Sequence, residues 1–350
     1  MDSKRRKPPV SILEIARAAG VSPATVSRAF NRPELLNPAT RQHVMDVAGQ
    51  HDFRPDRLGS SLRSGNTRTL GLVLPTLSNP VFADCFEGAE ARASQSGYSV
   101  MMTVTHYDPA LEAAAVHRLV GHRLEGLILT VANPRNSTIL KALSHRGMAY
   151  VLAYNESAAH TCAAVDNRAA AQDMVAHLAQ LGHRRIAFLS GPLALSDRAR
   201  SRLTGARRTA RQLTLAPITH YEMPTHTTAD KALVADLMRT PDRPSALFCS
   251  NDLLAMDVIS TLKALGHAVP EDISVAGFDG IRYGACMSPS LASIEAPGFE
   301  IGRTACHLLL QQIEHGGTRS EQVPHRLIAG ASAGTITAGP ARRLSRKTSC

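Results

Sequence analysis

The eight residues Val21–Arg28 constrain this chain more than any other stretch. Ser22 stands where a hydroxyl can accept a free backbone N–H of a first helical turn. Pro23 follows at the first helical position, where its missing N–H costs nothing. Val21 before the cap and Val26 after it are spaced as a hydrophobic staple. Upstream, Ser11 and Glu14 have capping-box spacing, and Ile12, Ile15, Ala16 and Ala19 recur at helical intervals until Gly20 ends the run. A third helix is expected from Asn37-Pro38, with Val44, Val47 and Ala48 turned inward. Two short helices joined by a glycine-containing turn form a helix-turn-helix, whose second helix enters the DNA major groove.

The competing reading is an ordinary three-helix bundle with a solvated polar face. The distribution of charge argues against it. Residues 1–68 hold twelve Lys/Arg against six Asp/Glu, and the last fifteen hold four basic residues and no acids. The 267 residues between carry 23 of each sign, so the net charge of +10 resides at the two ends. A basic end module beside a neutral body is what attraction to phosphates predicts.

Gly20-Val21-Ser22, Thr25-Val26-Ser27-Arg28, Asn31, Thr40-Arg41 and Phe53-Arg54-Pro55 stand in an order and spacing that resemble LacI/GalR-type transcription regulators. The resemblance extends from about Ser11 to Ser332. It implies an N-terminal all-α helix-turn-helix DNA-binding domain, a hinge helix, and an α/β bilobed periplasmic-binding-protein-like effector domain. It also places Pro23, Ala24 and Arg28 at the family's base-reading positions. Arg28 alone among these has a long donor side chain, suited to guanine N7 and O6, so it is expected to read a G·C pair. Ala24 suits a thymine methyl, and Pro23 shape. Ser22, Thr25, Ser27 and Asn31 are short hydrogen-bonding residues expected on phosphates, which position rather than specify. In the hinge segment Arg57 is expected at the DNA. Leu62 aligns with a leucine that wedges into the minor groove and opens it. Gly59 lowers the helix propensity of that segment by about 1 kcal/mol.

From Leu70 onward, short apolar runs alternate with helical stretches: Leu70–Leu74, Tyr98–Val104, Leu127–Val131, Tyr150–Ala153, Ile186–Leu189, Ala246–Cys249 and Ile273–Phe278. That alternation predicts parallel sheets covered by helices. About 270 residues exceed one ordinary core, so two lobes are expected. Ligands of such sheets bind beyond the carboxyl ends of strands. The resemblance assigns the effector to Asn79, Phe82, Tyr154, Arg202, Asn251 and Asp279. Each has a plainer alternative: core packing for Phe82, a helix cap for Asn251 or Asp252, a strand-end cap for Asp279, and a surface ion pair for Arg202 within its arginine-rich segment. Tyr154-Asn155 stands where sugar- and purine-sensing relatives often carry Asp. Gly330-Ala331-Ser332 also departs from the pattern, and the glycine-rich stretch from Gly330 is expected to be loose.

The boundaries expected are 1–54 for the DNA-binding domain, 55–66 for the hinge, 67–335 for the effector-binding and dimerisation domain, and 336–350 for a basic disordered tail. Within the effector domain one lobe takes 67–165 with 296–330 and the other 166–295. The chain is expected to be a cytoplasmic homodimer, a repressor of genes beside a palindromic operator on double-stranded DNA. A small-molecule effector, such as a sugar, sugar acid or other metabolite, is expected to control it. No cofactor, metal or membrane partner is expected. An enzyme is disfavoured: Gly330-Ala331-Ser332-Ala333-Gly334 imitates a nucleophile elbow, yet no Asp, Glu or His follows it. The six cysteines form no Cys-x-x-Cys and the fifteen histidines no His-Glu-x-x-His. The other rival, a solute-binding transport protein, is expected to carry a signal peptide. The start Met-Asp-Ser-Lys-Arg-Arg-Lys-Pro-Pro has no apolar segment of that kind.

Overall fold

A computed structural model describes residues 10–53, 67–317 and 319–336. The residues fall into two compact units that divide after Thr67. The hinge residues Arg57 and Leu62, and the basic tail, lie outside the described residues.

The first unit holds three helices, α1 (Ile12–Ala18), α2 (Pro23–Asn31) and α3 (Pro38–Gln50). All three begin at the caps read from the sequence. Ser11 and Glu14 close a reciprocal capping box, Ser22 accepts from the Thr25 N–H, and Asn37 accepts from the Ala39 N–H. Ile15, Val26 and Val44, one from each helix, are fully buried together. Phe30 and Phe53 meet edge-on at 5.8 Å beneath them.

In the second unit, β1 (Thr69–Leu74), β2 (Ser99–Val104), β3 (Gly126–Leu129), β4 (Ala149–Ala153), β5 (Cys162–Ala164) and β11 (Glu321–Gln322) form one sheet, ordered β11-β5-β4-β3-β1-β2. A second sheet, β7-β6-β8-β9, holds β6 (Ile186–Ser190), β7 (Thr219–Glu222), β8 (Ala246–Cys249) and β9 (Ser274–Ala276). Every pairing in both sheets is parallel. Central strands read as unbroken apolar runs because helices cover both faces. The edge strand β7, Thr-His-Tyr-Glu, is half exposed, and that polarity hid it from a hydrophobic reading. A short antiparallel pair, β10 (Ser293–Glu295) with β12 (Arg326–Ile328), sits beside β9. The sheets define two lobes, and the chain passes between them after β5, after β10 and after β11.

Helices α4 (Pro80–Gln95), α5 (Pro109–Gly121), α6 (Thr138–His145) and α11 (Gly298–His315) cover the first sheet. The second carries α7 (Asn167–Gln180), α8 (Asp197–Gln212), α9 (Lys231–Arg239) and α10 (Asp252–Ala264). Helices α4 and α11 touch backbone to backbone: a Cβ on Gly88 would run into the Phe299 carbonyl, and one on Gly302 into the Cys85 carbonyl.

Residues 330–336, the described part of the stretch from Gly330 to Gly339, are not loose. Ser332 is fully buried, its hydroxyl donates to the Val275 carbonyl at 2.6 Å and accepts from the Ala292 N–H at 2.8 Å, and its own carbonyl accepts from the Val275 N–H. Glycine content suggested mobility, but a sheet edge that needed partners claimed the segment. The same bonds leave no exposed nucleophile at Ser332.

Candidate functional site

On α2, Ser22, Pro23, Ala24 and Arg28 are exposed, Thr25 and Ser27 half-buried, and Val26 and Ala29 buried. The helix therefore turns its apolar side to α1 and α3 and holds Pro23, Ala24 and Arg28 on the opposite face. His43 of α3 bonds the Ala19 carbonyl at 3.2 Å, fastening α3 to the turn that precedes α2. The Ser22 hydroxyl is partly used: it accepts from the Thr25 N–H at 3.1 Å and shares a 2.9 Å bond with the Thr25 hydroxyl. One O–H of the pair is left for a phosphate. Asn31 ends the helix, and only its backbone is described.

In the second unit the six residues chosen from the sequence for an effector line one cavity between the lobes. Its walls are Asn79, Phe82, Tyr107 and Tyr154 from the first lobe, with Ser196, Arg198, Arg202, His226, Asn251 and Asp279 from the second. Asn79, Ser196 and Asn251 are the N-caps of α4, α8 and α10, so three helix N-termini end at this cavity. Tyr107, Tyr154 and Asp279 have φ of +61°, +66° and +109°. Such values are uncommon outside glycine and cost of order 1–3 kcal/mol each. Here they turn strand-end side chains into the cavity.

Arg202 is 6% exposed, which excludes a surface ion pair. Its Nε donates to Asn167 Oδ1 at 2.9 Å, its Nη1 donates to the Ser250 carbonyl, and its guanidinium lies 3.4 Å over the Phe278 ring. Nη2 stands 3.8 Å from Asp279 Oδ1, an ion pair without a hydrogen bond. Burial pushes Arg202 down to about 10, so it stays cationic at neutral pH. Burial pushes Asp279 up, against the pull of Arg202 and of the Asn79 amide, which donates to Oδ2 at 2.7 Å. Phe82 and Tyr154 pack edge-to-face at 5.1 Å. The Tyr154 hydroxyl is spent on the Val81 carbonyl at 2.6 Å, so Tyr154 supplies shape and no free polar group. Both alternatives hold for Asn251, which caps α10 while lining the cavity.

Four of these wall residues, Ser196, Arg198, Tyr107 and His226, escaped the sequence reading. Arg198 lies four residues before Arg202 on α8 and therefore on its face, a spacing that could have flagged it. Tyr107 follows β2, where the strand-end rule could have found it. His226 sits in a loop after β7 and had no signal. Its ring packs on Tyr107 at 4.0 Å between centroids, across the two lobes. Asn155, one position past Tyr154, is fully buried and ties Val131 to Asp197 with bonds of 2.7–2.9 Å.

The cavity encloses about 30 Å³, room for a water or two and too little for a metabolite unless the walls part. A wider groove of about 830 Å³ passes Asn133, Arg135, Asp166, Arg168, Arg200 and Glu321. Its buried-facing acids already serve the fold: Asp166 caps α7, and Asp197 holds Arg198 and Asn155. None of the six sequence-chosen residues lines it, and the smaller cavity is where polar groups converge. Among the described residues no cluster of His, Cys, Asp or Glu has the makings of a metal site. No helix among them is long and apolar enough to cross a membrane.

Comparison with known proteins joins the two units. Residues 11–56 match the family model for bacterial regulatory proteins of the lacI family, and residues 175–333 match that for a periplasmic binding protein-like domain. The HTH-type transcriptional repressor PurR of Aliivibrio salmonicida is 29% identical over 310 residues, covering 87% of this chain and 92% of its own. The HTH-type transcriptional repressor CytR of Escherichia coli is 29% identical over 340 residues, covering 95% and 98%. A lac repressor dimer bound to operator and the anti-inducer ONPF superposes with a TM-score of 0.83 at 24% identity, covering 94% of this chain and all of that one. With a lacI-type helix-turn-helix at one end and a periplasmic-binding-protein-like body behind it, the chain belongs to the LacI family of DNA-binding transcriptional regulators.

Proposed function

We propose that this protein is a cytoplasmic repressor that binds a palindromic operator as a homodimer and is controlled by a small molecule held between the lobes of its body. One observation carries the effector part: Asn79, Phe82, Tyr154, Arg202, Asn251 and Asp279, drawn from five separate strand ends and helices, meet in one buried cavity. Two charged side chains, Arg202 and Asp279, are buried there at the cost of desolvation, beside two amides that also cap helices. The exposed Pro23, Ala24 and Arg28 face carries the DNA part. Two heads related by a two-fold axis match an operator of the same symmetry.

The effector acts by binding the open and closed arrangements of the lobes unequally, and so changes the separation of the two segments that lead to the heads. Segment 55–66, with Arg57 at the backbone and Leu62 as a minor-groove wedge, is proposed to complete the grip. The domain boundaries expected from the sequence belong to the same proposal, with residues 326–330 moved to the second lobe, where β12 pairs with β10. Ser332, buried and bonded on both sides, is not placed as the nucleophile that its Gly-x-Ser-x-Gly setting imitates.

Selection of fragments from genomic DNA by the full-length protein at physiological salt, followed by sequencing, tests the reading. A shared inverted repeat near promoters is expected. Fragments with no common motif would refute operator recognition and leave the transport-type binding protein as the reading to pursue.

A further inference from the structure

We propose that the molecule held between the lobes is a small organic acid, a carboxylate on a hydroxylated skeleton, which Arg198 and His226 grip at its charged end. The inference rests on the effector reading of the cavity and goes on to name the class of compound.

Arg198 is 5% exposed and lines the cavity four residues before Arg202 on α8. Its Nη1 is engaged, with the Val131 carbonyl at 3.1 Å and Asp197 Oδ1 at 3.2 Å. Among the described residues, Nε and Nη2 have no hydrogen-bonding partner, so the rest of the guanidinium fork remains available. Across the wall, His226 Nε2 is buried with no hydrogen-bond partner. A buried nitrogen left without a partner is destabilising and asks for a complement. Burial, reinforced by the Arg198 charge, holds this imidazole down to about 4. The ring is therefore neutral at pH 7 and offers one N–H, a donor compatible with a neighbouring guanidinium and with an oxygen anion.

The charge around the cavity points the same way. Two guanidinium groups, Arg198 and Arg202, line it against one carboxylate, Asp279. Asp197, outside the lining, pairs with Arg198 through Nη1 at 3.2 Å and leaves the Nε–Nη2 edge of that guanidinium without an acid bonded to it. The N-termini of α4, α8 and α10 add their positive ends. A monoanion offsets this excess, and a bidentate carboxylate fits the open edge of the Arg198 fork. At the other end Asp279 is suited to a hydroxyl as acceptor, and Asn251, whose Nδ2 already donates to the His226 carbonyl at 2.6 Å, keeps its second amide N–H for another. An uncharged sugar satisfies that end and leaves the Arg198 end unmet.

Thermal unfolding of the full-length protein tests the assignment. The panel comprises gluconate, galactonate, glucuronate, galacturonate, glycerate and tartrate. Each acid is paired with its uncharged parent sugar or polyol, and common nucleosides and amino acids complete the set. At least one acid is expected to raise Tm while its uncharged parent does not. Calorimetry should then show that acid binding at least tenfold more weakly to Arg198→Gln, with part of the loss recovered in Arg198→Lys. The unliganded Tm of each variant reports whether it is folded. Should Arg198→Gln not fold, His226→Phe serves in its place, with an expected loss of at least threefold. A parent sugar that stabilises as well as its acid, a nucleoside or amino acid as the stabilising compound, or an unchanged Kd in the variants would overturn the organic-acid assignment and leave the effector reading standing. A panel in which no compound of any class shifts Tm would count against both.

Discussion

On the proposed reading, sequence recognition turns on Arg28. It is exposed on the face of α2 away from the core, with Pro23 and Ala24 beside it, and neither of those can donate from its side chain. Arg28→Ala should therefore cost about 1–3 kcal/mol at one base pair of each half-site and relax the preference there. Binding profiles against a library of operators varied at each position check this; a uniform loss across all sequences would mean a phosphate contact instead. In the body, His226 makes the sharpest residue-scale prediction. Its folded pKa of about 4 lies below the ordinary 6.5, so the native state binds fewer protons than the unfolded chain between those values. Stability from this residue is complete above pH 6.5 and drains as the pH falls toward 4. Because the imidazole is partly exposed, the difference from His226→Phe should be on the order of 1 kcal/mol between pH 7 and pH 5. Parallel denaturant titrations of wild type and variant should show the wild type losing more; equal losses would mean the ring titrates freely.

Elements formed where local chemistry and tertiary demand agreed. Helices α1, α2 and α3 start at Ser11, Ser22 and Asn37 because each cap is a local hydrogen bond that side chain and backbone settle alone. The buried strands were legible for a similar reason, since a run such as Leu70–Leu74 has nowhere to go but between two layers of helix. Strands β5, β7, β10, β11 and β12 were not, because they are short or edge elements whose pairing depends on a neighbour distant in sequence. The segment around Ser332 shows the same limit most clearly. Local composition suggested a loose end, and a hydroxyl bonded to Val275 and Ala292 made it part of the sheet edge. Ser332→Ala strands a buried donor and a buried acceptor, so it should lower unfolding free energy by about 1–3 kcal/mol. Urea denaturation checks the value, and a change within 0.5 kcal/mol would show that other groups satisfy both.

Across the whole molecule, the two lobes of the body are fastened by polar contacts at their shared cavity. Asn79 donates to Asp279 across 200 residues of sequence, Arg198 donates to the Val131 carbonyl, and the Asp197 N–H donates to the Ala132 carbonyl. Asn79→Ala removes the short donor to a carboxylate that burial already disfavours, so the closed arrangement should lose about 1–3 kcal/mol. Small-angle scattering of the body should report a larger radius of gyration for the variant; an unchanged radius would mean that the remaining ties suffice.

By itself the sequence determined the caps, the apolar periods and the sorting of charge, and through them a helix-turn-helix head and an α/β body. Those properties depend on residues within a turn or two of one another, or on composition alone. The resemblance of the sequence to LacI/GalR-type regulators also named six wall residues of the cavity. The tertiary structure alone decided that Arg202 is buried, that the Tyr154 hydroxyl is spent on Val81, and that Tyr107, Ser196, Arg198 and His226 join the wall. Each of these depends on which loops two separate sheets bring face to face. Burial and partnership are set by that meeting of distant segments, and no local pattern encodes it.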